Sequence, residues 1–206
     1  MRYLIVFTIL ILLCLNCAHT RITSQINYKY SNKSYKKLYV IADFADIEYK
    51  QAIEEKIKYE ADRKNIECLM SYEMSFMNND EINEILFKEG VDAVLVILPT
   101  ASGTNSYYVP PTTETKTKGT IQRDYWGHYS FKSKSTTTTS GGYSGTKPWT
   151  RVFAELYDIE TGDKVWNASA STGGNAWANF KTCLRSAGGK IIVKLDQDGF
   201  IAKKEK

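Results

Sequence analysis

Apolar residues in the first half of the chain recur with two different periods, which alternate along the sequence. Lys37–Ala42 is a short run of branched and aromatic residues and is typical of a β-strand. The next segment has the period of a helix, because four of its apolar residues share one face: Ile47, Ile53, Ile57 and Ala61. Asp46 precedes this segment and can cap the helix by accepting hydrogen bonds from the free amides of its first turn.

The same alternation of strand and helix continues to residue 98. Ile66–Met70 predicts a second strand, and Asn79 or Asp80 is expected to cap a second helix. Three apolar residues would face inward from this helix: Ile82, Ile85 and Leu86. Gly90 is a typical helix stop, and the almost wholly apolar run Val91–Leu98 predicts a strand that is buried in a parallel sheet.

A β-hairpin and a final helix are predicted after residue 148. Trp149–Asp158 alternates between polar and apolar residues, Glu160–Asp163 contains a glycine turn, and Lys164–Ala170 is expected to be the returning strand. An amphipathic segment from Ala176 to about Leu195 predicts the last helix, with five inward residues: Phe180, Leu184, Ile191, Ile192 and Leu195. The pair Gly188-Gly189 interrupts it, which indicates either a close approach to the sheet or a break into two helices.

These elements predict an α/β protein with a mixed sheet. Their order is β-α-β-α-β, a long insertion loop at 99–148, a β-hairpin and a C-terminal α-helix. Because strands joined through helices usually pair in parallel, the first three strands should be parallel, and the hairpin should extend the sheet antiparallel. We expect one α/β domain over 37–201, preceded by a polar tether at 18–36 and followed by a charged tail at 202–206.

The first seventeen residues have the pattern of a cleaved export signal. Arg2 precedes an apolar run of about thirteen residues, shorter than the roughly twenty that span a bilayer. Leu13–Cys17 resembles the lipobox of bacterial lipoproteins, whose cysteine carries fatty-acyl chains such as palmitate. Cys17 is therefore the candidate lipidation site, although Cys14 stands where a lipobox usually has leucine. An uncleaved anchor and a soluble secreted product are the alternatives.

Charge and cysteine content narrow the classes of function. The 206 residues carry 27 Lys and Arg against 23 Asp and Glu, a net charge of +4, and the basic excess lies in the 99–148 loop. Because this charge does not follow a helix face, we expect no nucleic acid among the partners.

Cys68 and Cys183 follow Cys17, and an oxidising compartment would permit them to form a disulfide. Two buried free thiols are the alternative.

The sequence contains no pattern of a catalytic, metal or cofactor site. No zinc-type spacing of Cys and His occurs, and Asp196–Gly199 does not match a calcium loop because its glycine comes too early. Asp158, Glu160 and Asp163 cluster at the predicted hairpin turn, where acids commonly form local hydrogen bonds. We therefore expect no catalytic residues, no metal and no cofactor.

The 99–148 loop is the remaining candidate for a binding site, because connections longer than about 12 to 15 residues are usually functional or disordered. It combines basic residues with aromatic rings, and Thr120–Ser135 could itself form a hairpin that turns at Gly127-His128. The candidate partner-binding residues are Tyr107, Tyr108, Arg123, Tyr125, Trp126, His128, Tyr129 and Phe131. The alternative is a partly ordered loop whose rings cover the edge of the sheet.

Several segments resemble a group of small bacterial envelope lipoproteins of unknown function. They are the lipobox-like start, Val91–Val96, Tyr107–Pro111, Ala154–Trp166 and Leu195–Ile201. In that group an α/β domain carries a Tyr/Pro-rich insertion before a hairpin with the motifs Leu-Tyr-Asp, Thr-Gly and Val-Trp. The resemblance implies an envelope location and an α/β fold, and it implies no catalytic residues.

We therefore expect a non-enzymatic lipoprotein of the bacterial cell envelope, anchored at the outer membrane or at a periplasmic membrane face. Its 99–148 loop would bind an envelope protein or an anionic glycan, or assemble with one. One alternative is an envelope hydrolase or glycan-processing enzyme with a site near Asp43 and Ser102, because open α/β sheets bind ligands where parallel strands end. A purely structural secreted domain is the other alternative.

Overall fold

In the part of the chain that the structure describes, alternating apolar residues in the strands and apolar faces on the helices assemble into a mixed six-stranded sheet with three α-helices. The computed structural model describes residues 18–123 and 129–202, and it describes side chains at 18–118 and 134–202. The elements are β1 (Ala18–Ile26), β2 (Lys37–Ala42), α1 (Ile47–Asp62), β3 (Glu67–Met70), α2 (Asn79–Lys88), β4 (Ala93–Arg123), β5 (Tyr129–Asp158), β6 (Lys164–Gly174) and α3 (Phe180–Gln197). The α/β class and the C-terminal helix are confirmed.

The strands lie in the order β1-β6-β5-β4-β2-β3. β2 pairs in parallel with β3 on one side and with β4 on the other, so that Leu38 lies opposite both Cys68 and Ala93. β5 and β6 form an antiparallel hairpin in which Ala154 lies opposite Ala168. The expected parallel and antiparallel parts of the sheet are both present. The predicted element order is wrong at its start, because a strand precedes the first β-α-β unit.

The N-terminal segment differs most from the expected tether at 18–36. Residues 18–26 form β1, which pairs with β6 along its whole length, from Ala18 opposite Gly174 to Ile26 opposite Trp166. A short 3-10 helix, Tyr28–Tyr30, follows, and Tyr35 is 1% exposed. The polar residues of this segment are compatible with an edge strand because such a strand has one solvated face. The segment is therefore part of the folded domain.

The first two helices begin at polar caps. The side chain of Asp46 accepts hydrogen bonds from the first turn of α1, as the sequence predicts. The cap of α2 is Asn78, and not Asn79 or Asp80 as the sequence predicts, because Asn78 and Glu81 form a reciprocal capping box. Gly90 ends this helix in the left-handed region, at a φ of 66°.

The glycine pair in α3 marks a close approach, but to α1 and not to the sheet. The helix is unbroken from Phe180 to Gln197 and begins four residues after the predicted start. A Cβ on Gly188 would lie 2.9 Å from the carbonyl oxygen of Ile53 in α1. Glycine is therefore required there, because any larger residue would force the two helices apart.

The predicted insertion loop at 99–148 is instead a continuation of β4 and β5. The described chain divides into a body, 18–105 with 147–202, and a second unit, Ser106–Thr146, called the ribbon below. Threonine and tyrosine favour extended backbone, which is why this polar segment forms strands despite its lack of apolar alternation. The expected turn at Gly127-His128 lies outside the described residues.

Two apolar clusters lie on the two faces of the body's sheet. The larger contains the buried residues of α1 and α3, among them Ile53, Ile57 and Ile191, together with Trp166. The smaller lies under α2 and contains Tyr39, Leu86 and other residues. The parallel part of the sheet is therefore covered on both faces, as expected for strands joined by helical crossovers, whereas β1, β5 and β6 have one covered face.

Candidate functional site

The structure describes the side chains of two predicted partner-binding residues. Tyr107 and Tyr108 lie in the ribbon, and Tyr108 is 67% exposed. Three others occupy strand positions at which the backbone alone is described: Arg123, Tyr129 and Phe131. Four further site residues lie outside the described residues: Cys17, Tyr125, Trp126 and His128. The structure therefore brings part of the predicted set onto two neighbouring strands.

The described side chains of the ribbon include paired hydroxyl groups and a pair of aromatic rings. Three cross-strand pairs join its strands through their hydroxyl oxygens: Thr113 with Thr139 at 3.3 Å, Thr115 with Thr137 at 3.2 Å, and Thr117 with Ser135 at 2.9 Å. The ring of Tyr107 meets that of Tyr143 edge to face, with centroids 6.2 Å apart. None of the ribbon side chains that the structure describes is buried. The ribbon therefore offers a row of hydroxyls and exposed tyrosine rings to its surroundings.

The body contains a separate cleft of about 180 Å³, at the end of the sheet where β2 and the parallel part of β4 finish. Its apolar wall is formed by Phe44, Tyr49, Ala101, Phe180 and Leu184. The rings of Tyr49 and Phe180 face each other with centroids 6.5 Å apart. The cleft thus combines a concave shape with an aromatic wall, which is typical of small-molecule sites.

A row of buried threonines crosses the sheet beside this cleft. Thr150 on β5 lies opposite Thr172 on β6, which lies opposite Thr20 on β1. The hydroxyl of Thr20 is 2.8 Å from that of Thr172 and 2.7 Å from that of Ser186 on α3. Thr150 lines the cleft and is 3% exposed, and its hydroxyl is the one buried side-chain polar atom of the described residues without a hydrogen-bond partner.

The lining of the cleft contains one charged residue, Arg151. Arg151 lies between the inward residues Thr150 and Val152 on a regular strand, so its side chain points to the opposite, exposed face of the sheet. Tyr49 lies in the first turn of α1, and Phe180 is the first residue of α3, so both helices begin at the cleft. The amino-terminal end of a helix carries partial positive charge. At the cleft these two ends are capped by the side chains of Asp46 and Asn179, which accept hydrogen bonds from the first-turn amides.

The enzymatic alternative was placed at this end of the sheet, near Asp43 and Ser102. Ser102 lines the cleft, whereas Asp43 is exposed and is not part of the lining. Histidine, the commonest general base, is absent from the lining of the cleft. Among the described residues the hydroxyl of Ser102 has no hydrogen bond to a base, so the geometry gives no nucleophile and base in contact.

The acids at the β5–β6 turn form local hydrogen bonds. Asp158 is buried and accepts from the backbone N–H of Thr161 at 2.9 Å and from the hydroxyl of Tyr35 at 2.9 Å. The ammonium of Lys33 lies 2.5 Å from its carboxylate. Burial alone would raise the pKa of Asp158, but the hydrogen bonds from Lys33, Thr161 and Tyr35 outweigh it and lower the pKa to about 2. This cluster is structural, because it joins the turn to the segment after β1.

A buried carboxylate at Glu54 has a similar structural role. It accepts hydrogen bonds from the backbone N–H groups of Ala42 and Tyr72, at 2.8 and 3.0 Å, and from the hydroxyl of Ser71 at 2.7 Å. Burial raises the pKa of Glu54, and these hydrogen bonds act in the opposite direction. Glu54 therefore fixes the end of β2 against the segment that follows β3.

Cys68 and Cys183 are buried free thiols on β3 and α3. The thiol of Cys183 donates to the carbonyl of Pro148 at 3.8 Å, and burial raises the pKa of Cys68 to about 12. The structure thus shows the free-thiol alternative and no disulfide between them.

Metal and membrane features can be stated for the described ranges alone. Among the side chains described at 18–118 and 134–202, no group of three or more His, Cys, Asp or Glu could hold a metal ion. The helices of these ranges include none that is both long and apolar enough to cross a membrane.

Comparison with known proteins gives structural neighbours but no family. No family model and no curated protein matches the chain. Similar solved structures include a point variant of the PelC dodecamer from Paraburkholderia phytofirmans, with 13% identity and a TM-score of 0.46 over 86% of this chain and 97% of that chain. A second PelC dodecamer structure from that organism has 11% identity and a TM-score of 0.43, and the match covers 90% of this chain and 99% of that chain. A PDZ domain protein from Parabacteroides distasonis has 8% identity and a TM-score of 0.37, and the match covers 90% of this chain and 37% of that chain.

Sequence reasoning found the right end of the sheet but missed the residues that define the cleft. Phe180 was expected to face the core, and it instead lies half-buried in the wall of the cleft. The position of Thr150 could have been found from the sequence. Side chains two and four residues apart on a strand point to the same face, and Val152 and Ala154 point inward, so Thr150 is a polar residue at an inward position.

Proposed function

We propose that the protein is a lipoprotein of the bacterial cell envelope, held to a membrane by a lipid on Cys17, whose ribbon binds an envelope protein or an anionic glycan. The observation that carries this proposal is the ribbon itself. Its two strands continue β4 and β5, yet no described side chain in it is buried. A protein rarely keeps such exposed strands unless they make contacts elsewhere.

The position of β1 supports the anchor. β1 begins at Ala18, directly after the candidate lipidation residue, and Ala18 pairs with Gly174 at the end of β6. Trp177 follows this end by three residues, and its side chain is 85% exposed. Tryptophan is enriched at membrane interfaces, where its ring meets the acyl region and its N–H meets water. A lipid on Cys17 would therefore hold an exposed indole against the membrane surface without a long tether.

The anchor is tested by Cys17→Ala, with Cys14→Ala as the matched control because both cysteines lie at the end of the same apolar run. Cys17→Ala should give an unlipidated precursor that migrates more slowly, because its signal is not cleaved, and that takes up no labelled palmitate. Cys14→Ala should behave as wild type. Unchanged palmitate labelling and mobility of Cys17→Ala would refute the anchor.

The chemistry of the ribbon supports a binding role. The row of threonine hydroxyls supplies hydrogen-bond donors and acceptors, and exposed Tyr108 and Tyr143 supply ring surface. Five basic residues against two acidic ones, over 106–146, add positive charge that favours acidic partners. The outer edges of both ribbon strands have no partner strand within the described chain, so a strand of another protein could pair there.

The binding role is tested by trimming the ribbon. Residues 106–146 are replaced by an Asn-Gly turn between Asn105 and Lys147, a sequence that favours a tight hairpin. The trimmed protein should keep the circular dichroism and cooperative urea unfolding of the body. Crosslinking in the native envelope, followed by pull-down, should then capture a protein or glycan with wild type and not with the trimmed variant. Equal capture by both proteins would contradict the proposal.

A further inference from the structure

We propose that the uncovered face of β1, β5 and β6 binds an acidic glycan chain through Arg21 and Arg151. The two arginines lie opposite Ser171 of β6, one on each side of it, so the three residues form a cross-strand row. All three are exposed. The arginines are two strand spacings apart, about 10 Å, so acid groups along one chain can meet both. This surface lies on the body, and the proposal depends neither on the ribbon nor on the lipid anchor.

Strand alternation places this row on the face of the sheet that α1 and α3 do not cover. The neighbouring residues Thr20, Val152 and Thr172 are buried, and the hydroxyl of Thr20 contacts Ser186 of α3, so the row between them points the other way. Two further cross-strand rows flank it along the strands. The three rows, called the open face below, are Trp149 with Gly173 and His19, Arg151 with Ser171 and Arg21, and Phe153 with Ser169 and Thr23.

The open face has positive charge that the described residues do not neutralise. Its nine residues include two arginines and no Asp or Glu. Among the described residues, neither Arg21 nor Arg151 has an ion pair. In the next row, Glu155 is engaged by the ammonium of Lys164 at 2.7 Å and by the hydroxyl of Tyr157 at 2.8 Å. The two guanidinium groups therefore repel each other across Ser171, and bound carboxylates would relieve this repulsion and accept paired hydrogen bonds.

Aromatic rings and hydroxyl groups around the arginines favour a glycan over other anions. Trp149 and Phe153 are half-buried and lie two positions before and after Arg151 along β5. The faces of aromatic rings attract the weakly positive C–H groups of sugar rings. A Cβ on Gly173, beside Trp149, would meet no atom within 4 Å apart from its chain neighbours, so the surface next to the indole is open. Three hydroxyls supply donors and acceptors for sugar hydroxyls: Thr23, Ser169 and Ser171.

Four probes of matched length test the selection: hexagalacturonate, hexamannuronate, fully methyl-esterified hexagalacturonate and hexaglutamate. Each is titrated into the purified full-length protein by calorimetry, and amide chemical shifts locate the binding. At least one uronate should bind saturably, and at least tenfold tighter than both the uncharged ester and the acidic peptide. The shifted amides should belong to residues around Arg21, Arg151 and Ser171.

Three outcomes would overturn the proposal. Absence of saturable binding by both uronates would show that the open face holds no acidic glycan. Equal affinity for hexaglutamate would show that it selects charge alone, as a site for an acidic protein segment would. Shifts confined to 106–118 and 134–146 would place the glycan on the ribbon, which would leave the function proposed for the ribbon intact.

Variants connect the binding to named side chains. Arg21→Gln and Arg151→Gln should each lower uronate affinity at least fivefold. Arg185→Gln is the control and should bind within twofold of wild type, because Arg185 pairs with Glu55 of α1 on the covered side of the sheet. Wild-type affinity of both Arg21→Gln and Arg151→Gln would contradict the assignment.

Ser171→Glu places a carboxylate of the protein between the two arginines. It should abolish uronate binding and raise the Tm by about 1 to 4 °C, because opposite charges on neighbouring strands stabilise a sheet. Phe153→Leu keeps an apolar side chain but removes the ring, and it should lower uronate affinity at least threefold. A folded Ser171→Glu protein that binds uronate as wild type does would refute the site.

Discussion

The carboxylate of Asp158 should stabilise the fold mainly through its charge, and Asp158→Asn tests this. The substitution keeps the size of the side chain and removes the interaction with Lys33. The folded pKa is about 2 and the ordinary value is 3.8. At about 1.4 kcal/mol for each pKa unit, the ionised group contributes about 2.5 kcal/mol to the free energy of unfolding at neutral pH.

The sign of the pH dependence follows from the lowered pKa. The stabilisation from Asp158 is complete above the unfolded pKa and is lost as the pH falls through the folded pKa. Urea unfolding should therefore show Asp158→Asn about 2 to 3 kcal/mol less stable than wild type at pH 7, and less than about 1 kcal/mol less stable at pH 2.5.

Glu160→Gln is the matched control, because Glu160 pairs with the same lysine but its side chain is 81% exposed. Its cost should stay below about 0.5 kcal/mol. An NMR titration of the Asp158 carboxyl carbon measures the folded pKa directly. A folded pKa near 4, or a cost of Asp158→Asn that does not change with pH, would show that charge does not stabilise this turn.

Three further predictions concern the helices and are checked by urea unfolding. Gly188→Ala should cost about 1 to 3 kcal/mol because its Cβ would meet the Ile53 carbonyl, whereas Gly189→Ala meets the flexible end of Lys56 and should be neutral or stabilising by up to about 1 kcal/mol. Asn78→Ala should cost about 1 kcal/mol as the true cap of α2, and Asn79→Ala should cost less than about 0.5 kcal/mol. Glu54→Gln should lower the free energy of unfolding by about 1 to 3 kcal/mol, and by less at pH 7 than at pH 4. The reason is that the pKa of Glu54 is raised in the folded state, so the wild-type protein loses stability as the pH rises. Glu55→Gln is the control, because Glu55 is exposed.

The body of the fold was predictable where apolar periodicity was strong. β2, α1 and the β5–β6 hairpin follow directly from their residue patterns, because burial on one side imposes a period of 2 or 3.6. β1 was not predictable in this way, because an edge strand with a solvated face contains few apolar residues. A hairpin was raised for Thr120–Ser135, and the described backbone of 120–123 and 129–135 is extended. The rest of the ribbon was missed for the same reason as β1, since its strands pair with each other and bury no described side chain.

The candidate site depends on contacts that no local pattern contains. Thr150 and Phe180 are separated by 30 positions and meet at the cleft because β6 returns the chain antiparallel to β5 before α3 begins. Sequence alone located the end of the parallel strands, which is a consequence of topology. It could not locate the unpartnered hydroxyl, because hydrogen-bond satisfaction is a property of the packed structure.

The two ends of the body's sheet differ in how completely their polar groups are satisfied. At the β5–β6 turn, Asp158 binds Lys33, Tyr35 and Thr161, so its buried charge has several partners. At the opposite end, Thr150 is buried without one. A buried hydroxyl without a partner costs free energy, because folding removes its hydrogen bonds to water and replaces them with none. Perturbation of the turn should therefore lower the Tm, whereas Thr150→Val, which removes the hydroxyl and keeps the shape of the side chain, should raise it. A lower Tm of Thr150→Val would show that the hydroxyl stabilises the fold.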